Sequence, residues 1–257
     1  MSGSLHSMIR DLGRRRGRER RGLALAEGVR LVEEALASGI TIRGAAVSPA
    51  LEGTTRGMAL KAQLAARGVR VEEVTPAELD ELADTEHPQG IVAVVEPRVW
   101  TLADVTATRD AVLLVLDGVQ DPGNVGTMLR TAHALGAAGV VALKGTADLT
   151  NPKVLRGSMG AAFRLPCVAA DESAFLIWAS EHGITVWATA ADGTPFDRSG
   201  APAGPIALVV GNEGAGVSPG IARAAAHRVA IPLRPGAESL NVAVAAGILL
   251  YEALRDH

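Results

Sequence analysis

The sequence predicts an α/β protein in two parts, a smaller α/β domain followed by a larger domain built on a parallel sheet with helices on both faces. Three observations predict it. Apolar, β-branched runs alternate with stretches of helical spacing along nearly the whole chain, the pattern of βαβ units. The 257 residues suffice for two domains, and 97–110 lacks apolar periodicity, so it reads as the linker between them. Apolar residues make up 48% but aromatics only 3%, so the cores are built from Val, Leu, Ile and Ala.

Taken in order, residues 1–21 carry seven arginines (Arg10, Arg14, Arg15, Arg16, Arg18, Arg20, Arg21) against Asp11 and Glu19, a net of +5. The whole chain has a formal charge of −3, so the remainder carries −8. A basic arm on an acidic body suits a protein that grips a polyanion locally; the bland alternative is a solvated arm with no partner. The domain expected over 22–96 begins with the short apolar Leu23-Ala-Leu-Ala26. A helix follows over 27–37, spaced by Val29, Val32 and Leu36 and stopped by Gly39. A strand at 42–48, a helix at 56–67 ended by Gly68, a strand at 69–74, a helix at 76–84 opened by proline and a strand at 91–95 complete it. His87 precedes the last strand in a polar turn with no second His or Cys near it, so it reads as a turn residue rather than a ligand or base.

The second domain, 111–257, opens with the buried strand Val112-Leu-Leu-Val-Leu116 and the loop 117–123. Asn124 then caps a helix whose core face is Val125, Leu129, Ala132 and Gly136, leaving Arg130 on an exposed flank. A strand at 140–143, a helical stretch at 151–159, a helix at 171–182, a strand at 184–189 and a loop at 201–205 lead to the stretch that organises the chain. There, Leu208-Val-Val breaks into Gly211-Asn-Glu-Gly-Ala-Gly216, a buried strand feeding a loop in which glycines let backbone close on a ligand. A strand at 227–231 opens into Pro232-Leu-Arg-Pro-Gly236, and Ser239-Leu-Asn241 caps a helix running to about Arg255. Two such loops suit a cofactor held at the carboxyl edge of a parallel sheet.

Several classes are excluded. Cys167 is the only cysteine, which rules out an internal disulfide and a thiolate-rich metal site; it is expected to be a small core residue, and no metal is expected. No apolar run reaches the roughly 20 residues of a membrane helix, and no apolar h-region follows the N-terminal arginines, so a soluble, cytoplasmic protein is expected. The first strand of the second domain is followed by Gly118, Gly123 and Gly126 without a G-x-G-x-x-G turn, and there is no G-x-x-x-x-G-K-[ST] loop, which sets NAD and NTP aside.

Three separated blocks remain: Asn124-x-Gly126-x-x-x-Arg130-x-Ala132, Gly211-Asn-Glu213-Gly-x-Gly216, and Ile231-Pro-Leu233 with Ser239-Leu-Asn241. In order and arrangement they resemble the three signature motifs of the SpoU (TrmH) family of RNA ribose 2′-O-methyltransferases, within the SPOUT superfamily. Leu25-Ala-Glu-Gly-Val-Arg-Leu-Val32 and Pro88-Gln-Gly-Ile-Val-Ala93 look like that family's small substrate-binding domain, so the resemblance covers essentially the whole chain.

The resemblance implies a deep trefoil knot, which the pattern of elements alone would not suggest, since protein chains are almost never knotted. It implies S-adenosylmethionine bound among Thr189, Ala190, Gly211, Asn212, Gly216, Ile231, Leu233, Ser239 and Leu240. It further implies a homodimer and transfer of a methyl group to a ribose 2′-hydroxyl of structured RNA, with 23S ribosomal RNA the leading substrate. A tRNA substrate is the alternative within the class; a knotted RNA-binding protein without chemistry is the alternative outside it. The family assigns proton acceptance to the arginine matching Arg130, but a guanidinium with a pKa above about 12 is a poor base at neutral pH, so phosphate binding is a competing account. Asn124, Glu213 and Asn241 match the polar residues that orient Arg130 and the loops. Arg14, Arg15, Arg16, Arg18, Arg20 and Arg21 are the candidate RNA contacts.

Overall fold

The computed structural model describes residues 4–86, 88–197 and 204–255. His87 and residues 201–203 of the expected loop lie outside the described residues. The chain divides into two compact units: residues up to Arg98 with Thr150–Phe163, and Val99–Leu149 with Arg164 onward.

The first unit contains α1 (Leu5–Leu12), α2 (Arg15–Arg21), β1 (Ala24–Glu27), α3 (Val29–Ala37), β2 (Thr41–Val47), α4 (Thr55–Ala66), β3 (Val71–Glu73), α5 (Pro76–Leu82) and β4 (Ile91–Glu96). Its four strands lie in the order β1-β4-β2-β3, antiparallel except for β2 with β3. Alternation along β4 divides the unit into layers. Ile91, Ala93 and Val95 share a core with Val32, Leu36, Leu60 and Leu64, whereas Val92 and Val94 share another with Leu5, Ile9, Leu12, Leu79 and Leu82.

The basic arm is therefore corrected. Residues 5–21 form two helices, and Leu5, Ile9 and Leu12, at helical spacing, bury one face of α1 in the unit's core. Most of the charge is also neutralised locally. Arg20 and Arg21 both pair with Asp11, Arg10 with Glu81 and Arg15 with Glu19. The guanidiniums of Arg21 and Arg20 hold the Asp11 carboxyl below its ordinary range. Arg18 is only 4% exposed and donates to the carbonyls of Leu12 and Gly13 and to the Thr150 hydroxyl, so it braces the α1–α2 corner and is withdrawn as an RNA contact. Arg14 and Arg16 are exposed and have no partner among the described residues.

The second unit begins with β5 (Val112–Asp117), α6 (Pro122–Leu135) and β6 (Gly139–Leu143). After β6 come α7 (Pro152–Ser158), β7 (Cys167–Ala170), α8 (Glu172–Glu181), β8 (Thr185–Pro195), β9 (Ile206–Gly211), α9 (Pro219–Ala224), β10 (His227–Ala230) and α10 (Val242–Leu254). Six strands in the order β10-β8-β9-β5-β6-β7 form an all-parallel sheet. Its central strands, β5 and β9, are buried at every residue, as near-continuous Val and Leu runs require when both faces are covered. Leu113, Val115 and Val209 pack with Phe175, Trp178 and Ile221 of α8 and α9, and α10 packs against α6, β5 and β9.

Further boundaries differ from expectation. The 97–110 stretch is no free linker, because Trp100, Leu102, Val105 and Ala107 pack into the second unit's core. Residues 150–163, placed in the second domain by sequence order, belong to the first unit, where Leu155 and Phe163 are buried in its core. β1, β7 and α9 are additional elements, each only four to six residues long. No helix among the described residues is long and apolar enough to cross a membrane.

Candidate active site

Because every strand of the second sheet runs the same way, the loops after β5, β6 and β9 emerge at one edge, where buried Asp117 and half-buried Ser218 and Asn212 fasten them. Asp117, the last residue of β5 and only 8% exposed, accepts from the Ser218 backbone N–H at 2.6 Å. The Ser218 hydroxyl caps α9 and donates to Glu172 at 2.7 Å. Asn212 closes the glycine loop with reciprocal backbone bonds to Gly216, donates through Nδ2 to the Gly118 carbonyl, and accepts the N–H groups of Gly214 and Ala215 on Oδ1. Gly211 has no room for a side chain, since a Cβ there would stand 2.2 Å from the Gly216 carbonyl carbon. Its glycine is required by this close approach.

Opposite that loop, β8 departs from regular pairing. Its register with β10 jumps between Arg228, opposite Ala188, and Val229, opposite Thr194, so residues 189–193 bulge out of the ladder. Together with the glycine loop, the 229–240 stretch and α10, the bulge walls a cavity of about 560 Å³. Thr189, Ala190, Gly211, Asn212, Gly216, Ile231, Leu233, Ser239 and Leu240 all line it. The sequence reading missed Gly193 of the bulge, Pro195 just beyond it, Glu238, and Val242, Ala245 and Leu249 of α10. Two carboxylates, Glu213 and Glu238, line this cavity, and among the described residues no Lys, Arg or His side chain does. Such a lining suits a neutral or cationic ligand with apolar parts and is wrong for a phosphate-bearing cofactor, which needs cations or a helix-terminal nest.

Beside the cavity, three expected residues meet in one chain of hydrogen bonds. Asn241 caps α10, its Oδ1 accepting from the N–H groups of Ala243 and Val244 at 2.9 and 3.3 Å. With that oxygen committed, its Nδ2 faces away and donates to Asn124 Oδ1 at 3.0 Å. Asn124 Nδ2 in turn donates to Glu213 Oε1 at 2.9 Å. The helix cap thus sets the direction of the whole relay.

Asn124 itself is not the N-cap of α6. Asp121 takes that role, its carboxylate accepting from the Asn124 N–H at 2.8 Å with Pro122 behind it, and this frees the Asn124 amide for the relay. A Pro at the first helical position was the available signal.

Arg130 stands apart. It lies six residues further along α6, about 9 Å of rise and about 120° round the helix from Asn124. Its side chain is exposed, has no partner among the described residues and does not line the cavity. The relay therefore does not orient it directly, contrary to expectation. Cys167, expected in the core, is half-buried at the start of β7, and desolvation of its thiol pushes it up to about 12. No group of three or more His, Cys, Asp or Glu side chains placed to hold a metal occurs among the described residues.

Comparison with known proteins also divides the chain in two, with residues 150–163 counted in the second part. Residues 111–251 match the SpoU rRNA methylase family, and residues 7–93 match the MRM3-like substrate-binding domain. The chain is 38% identical to the 23S rRNA (guanosine(2553)-2′-O)-methyltransferase RlmP of Bacillus subtilis, over 88% of this chain and 86% of that protein. An AdoMet-bound rRNA methyltransferase from Sinorhizobium meliloti superposes with a TM-score of 0.85 at 33% identity, covering 99% of this chain and 95% of the other. The SpoU methyltransferase AviRb from Streptomyces viridochromogenes, in complex with AdoMet, gives 0.86 at 31% identity, covering 99% and 98%. By sequence and by fold, the chain belongs to the SpoU rRNA methylase family, with an MRM3-like substrate-binding domain ahead of the methylase domain.

Proposed function

We propose that this protein transfers the methyl group of S-adenosylmethionine to a ribose 2′-hydroxyl of 23S ribosomal RNA. The observation that carries the reading is the Asn241–Asn124–Glu213 relay, whose last member also lines a cavity that holds no cationic side chain among the described residues. That cavity fits the cofactor: apolar Ile231, Leu233, Leu240 and Leu249 suit its adenosine and methionine carbons, and the two carboxylates suit its positive charge. Relatives that match most of the chain, such as RlmP and RlmB, are named for 23S rRNA, which favours ribosomal over transfer RNA, and intact site residues favour an enzyme over a knotted RNA-binding protein.

S-adenosylmethionine, when bound, supplies an electrophilic methyl on a good leaving group. The chain's own residues then hold the hydroxyl in line and accept its proton. The side chains available for this are a guanidinium that stays protonated, two amides and one carboxylate beside them. We therefore assign proton acceptance to Glu213, held in place by Asn124, and assign Arg130 to a phosphate flanking the target ribose, which suits its exposed, unpaired position. Asn241 keeps the relay in register by capping α10.

The remaining parts of the reading draw on the topology and the exposed surface. The all-parallel order with β10 at one edge and α10 returning to α6, β5 and β9 is compatible with the family's trefoil knot. A homodimer is supported by the apolar stripe Val244, Ile248 and Tyr251 on α10, 52%, 39% and 54% exposed at successive turns. Light scattering should give twice the 26.4 kDa of one chain. Action on ribosomal RNA supports a cytoplasmic location, and Arg14, Arg16 and the exposed arginines paired with carboxylates, Arg15, Arg20 and Arg21, are its candidate phosphate contacts. The direct test is tritium transfer from labelled cofactor to 23S rRNA, with the label recovered as 2′-O-methylribose. Recovery on a base would refute the reading.

A further inference from the structure

Two cofactor species pass through this site, and they differ in charge. S-adenosylmethionine carries a sulfonium and a net charge of +1, whereas S-adenosylhomocysteine, which remains after transfer, is a neutral thioether with no net charge. Their adenosine and amino-acid ends are the same. A cavity that turns over must release the second in the presence of the first.

The lining supplies a means. Glu213 and Glu238 are the only ionisable side chains on it among the described residues, and no cation offsets them. Glu213 is engaged by Asn124, but Glu238 has neither a hydrogen-bond nor an ion-pair partner among the described residues. Glu238 stands three residues before Asn241, so the chain holds their Cα atoms within about 11 Å of each other. Both carboxylates line the cavity walled by the glycine loop and the 229–240 stretch, so each can face a ligand held there. Glu238 is exposed, so a ligand that fills the space takes away part of its water, a cost that a cationic ligand offsets and a neutral one does not.

We infer that Glu238 is a specificity-determining residue that makes the cavity select the cationic methyl donor over its neutral demethylated product by charge. The inference rests on the assignment of S-adenosylmethionine to this cavity. A unit charge acting over several ångströms at a half-solvated site changes an affinity by about fivefold. Selection of that size biases exchange toward the donor without a conformational step.

Calorimetry on the full-length protein tests it with three ligands: S-adenosylmethionine, S-adenosylhomocysteine and sinefungin, in which an ammonium replaces the sulfonium. In the wild type both cationic ligands should bind more tightly than the neutral one. Glu238→Gln should shrink that preference by about fivefold through weaker binding of the cations, while the neutral ligand is unaffected and the charge-preserving Glu238→Asp keeps the preference. Raising salt from about 0.1 to about 1 M, which shortens the screening length from about 10 to about 3 Å, should shrink the wild-type preference and leave Glu238→Gln nearly flat. Equal weakening of all three ligands by Glu238→Gln, or no change in any, would overturn the inference and leave the cofactor assignment standing. A wild type that binds none of the three would overturn both.

Discussion

The carboxyl edge of the second sheet and the helical corner at the N-terminus are both functional candidates, yet they present their chemistry in opposite ways. At the sheet edge the work falls to backbone and to side chains committed to one another: Gly211 is pressed against Gly216, Asn212 holds the loop, and Asn241 orients Asn124 and through it Glu213. At the corner it falls to charge, and charge is only as available as its neighbours permit. Asp11 occupies Arg20 and Arg21, Glu81 occupies Arg10, Glu19 occupies Arg15, and Arg18 is buried under the chain. A motif of fixed spacing reports geometry, whereas a count of arginines reports only a total.

The comparison can be broken at several points. The largest effect is expected in the methylase domain, where Arg130→Ala should lower turnover by roughly a hundredfold or more, as losing the group that positions the target ribose through its phosphate does. Calorimetric affinity for S-adenosylmethionine should stay unchanged, because Arg130 does not line the cavity; a parallel fall in cofactor binding would place it elsewhere in the mechanism. Gly211→Ala should do the reverse. Its Cβ would sit 2.2 Å from the Gly216 backbone, so the loop must move, and a displacement near 1 Å costs about a hundredfold in a positioned site. If cofactor affinity survives, the close approach is not what holds the ligand.

At the corner the first expected effect is on stability. Arg18→Ala removes a buried cation bonded to the carbonyl oxygens of Leu12 and Gly13, and should destabilise the first unit by about 2 to 4 kcal/mol, read as an earlier denaturant midpoint. An unchanged midpoint would return Arg18 to the candidate RNA contacts. Smaller still is the change in RNA binding. Arg14→Ala with Arg16→Ala should flatten the slope of log affinity against log salt by roughly 0.7 to 0.9 for each phosphate no longer neutralised. Arg20→Ala with Arg21→Ala should flatten it less, because those side chains must first leave Asp11. Equal slopes for the two double variants would erase the distinction between paired and unpaired arginines.

The same contrast explains how much could be read in advance. The buried strands Val112-Leu-Leu-Val-Leu116 and Leu208-Val-Val-Gly211 were legible because their hydrophobicity is continuous, and Gly211, Asn212, Gly216, Ile231, Leu233, Ser239 and Leu240 line one cavity because motif spacing encodes loop geometry. Asp121 escaped attention because Asn124, an equally good cap, stood three residues on. Glu238 belongs to no motif and becomes visible only as part of the lining of the cavity. The helices in 5–21 were hidden by arginines whose partners, such as Glu81 for Arg10, lie far along the sequence. The departure of 150–163 to the first unit depends on Leu155 and Phe163 meeting residues such as Val32 and Leu36, far back along the chain, which no local pattern records.

The central claim, that this site methylates a ribose of ribosomal RNA, is tested most directly by mapping 2′-O-methyl groups across total RNA from cells with the wild-type gene, without it, and with the Arg130→Ala form. The account predicts that one 23S rRNA position loses its methyl group without the gene and that the Arg130→Ala form fails to restore it. An unchanged 23S map, or a loss confined to a transfer RNA, would contradict it.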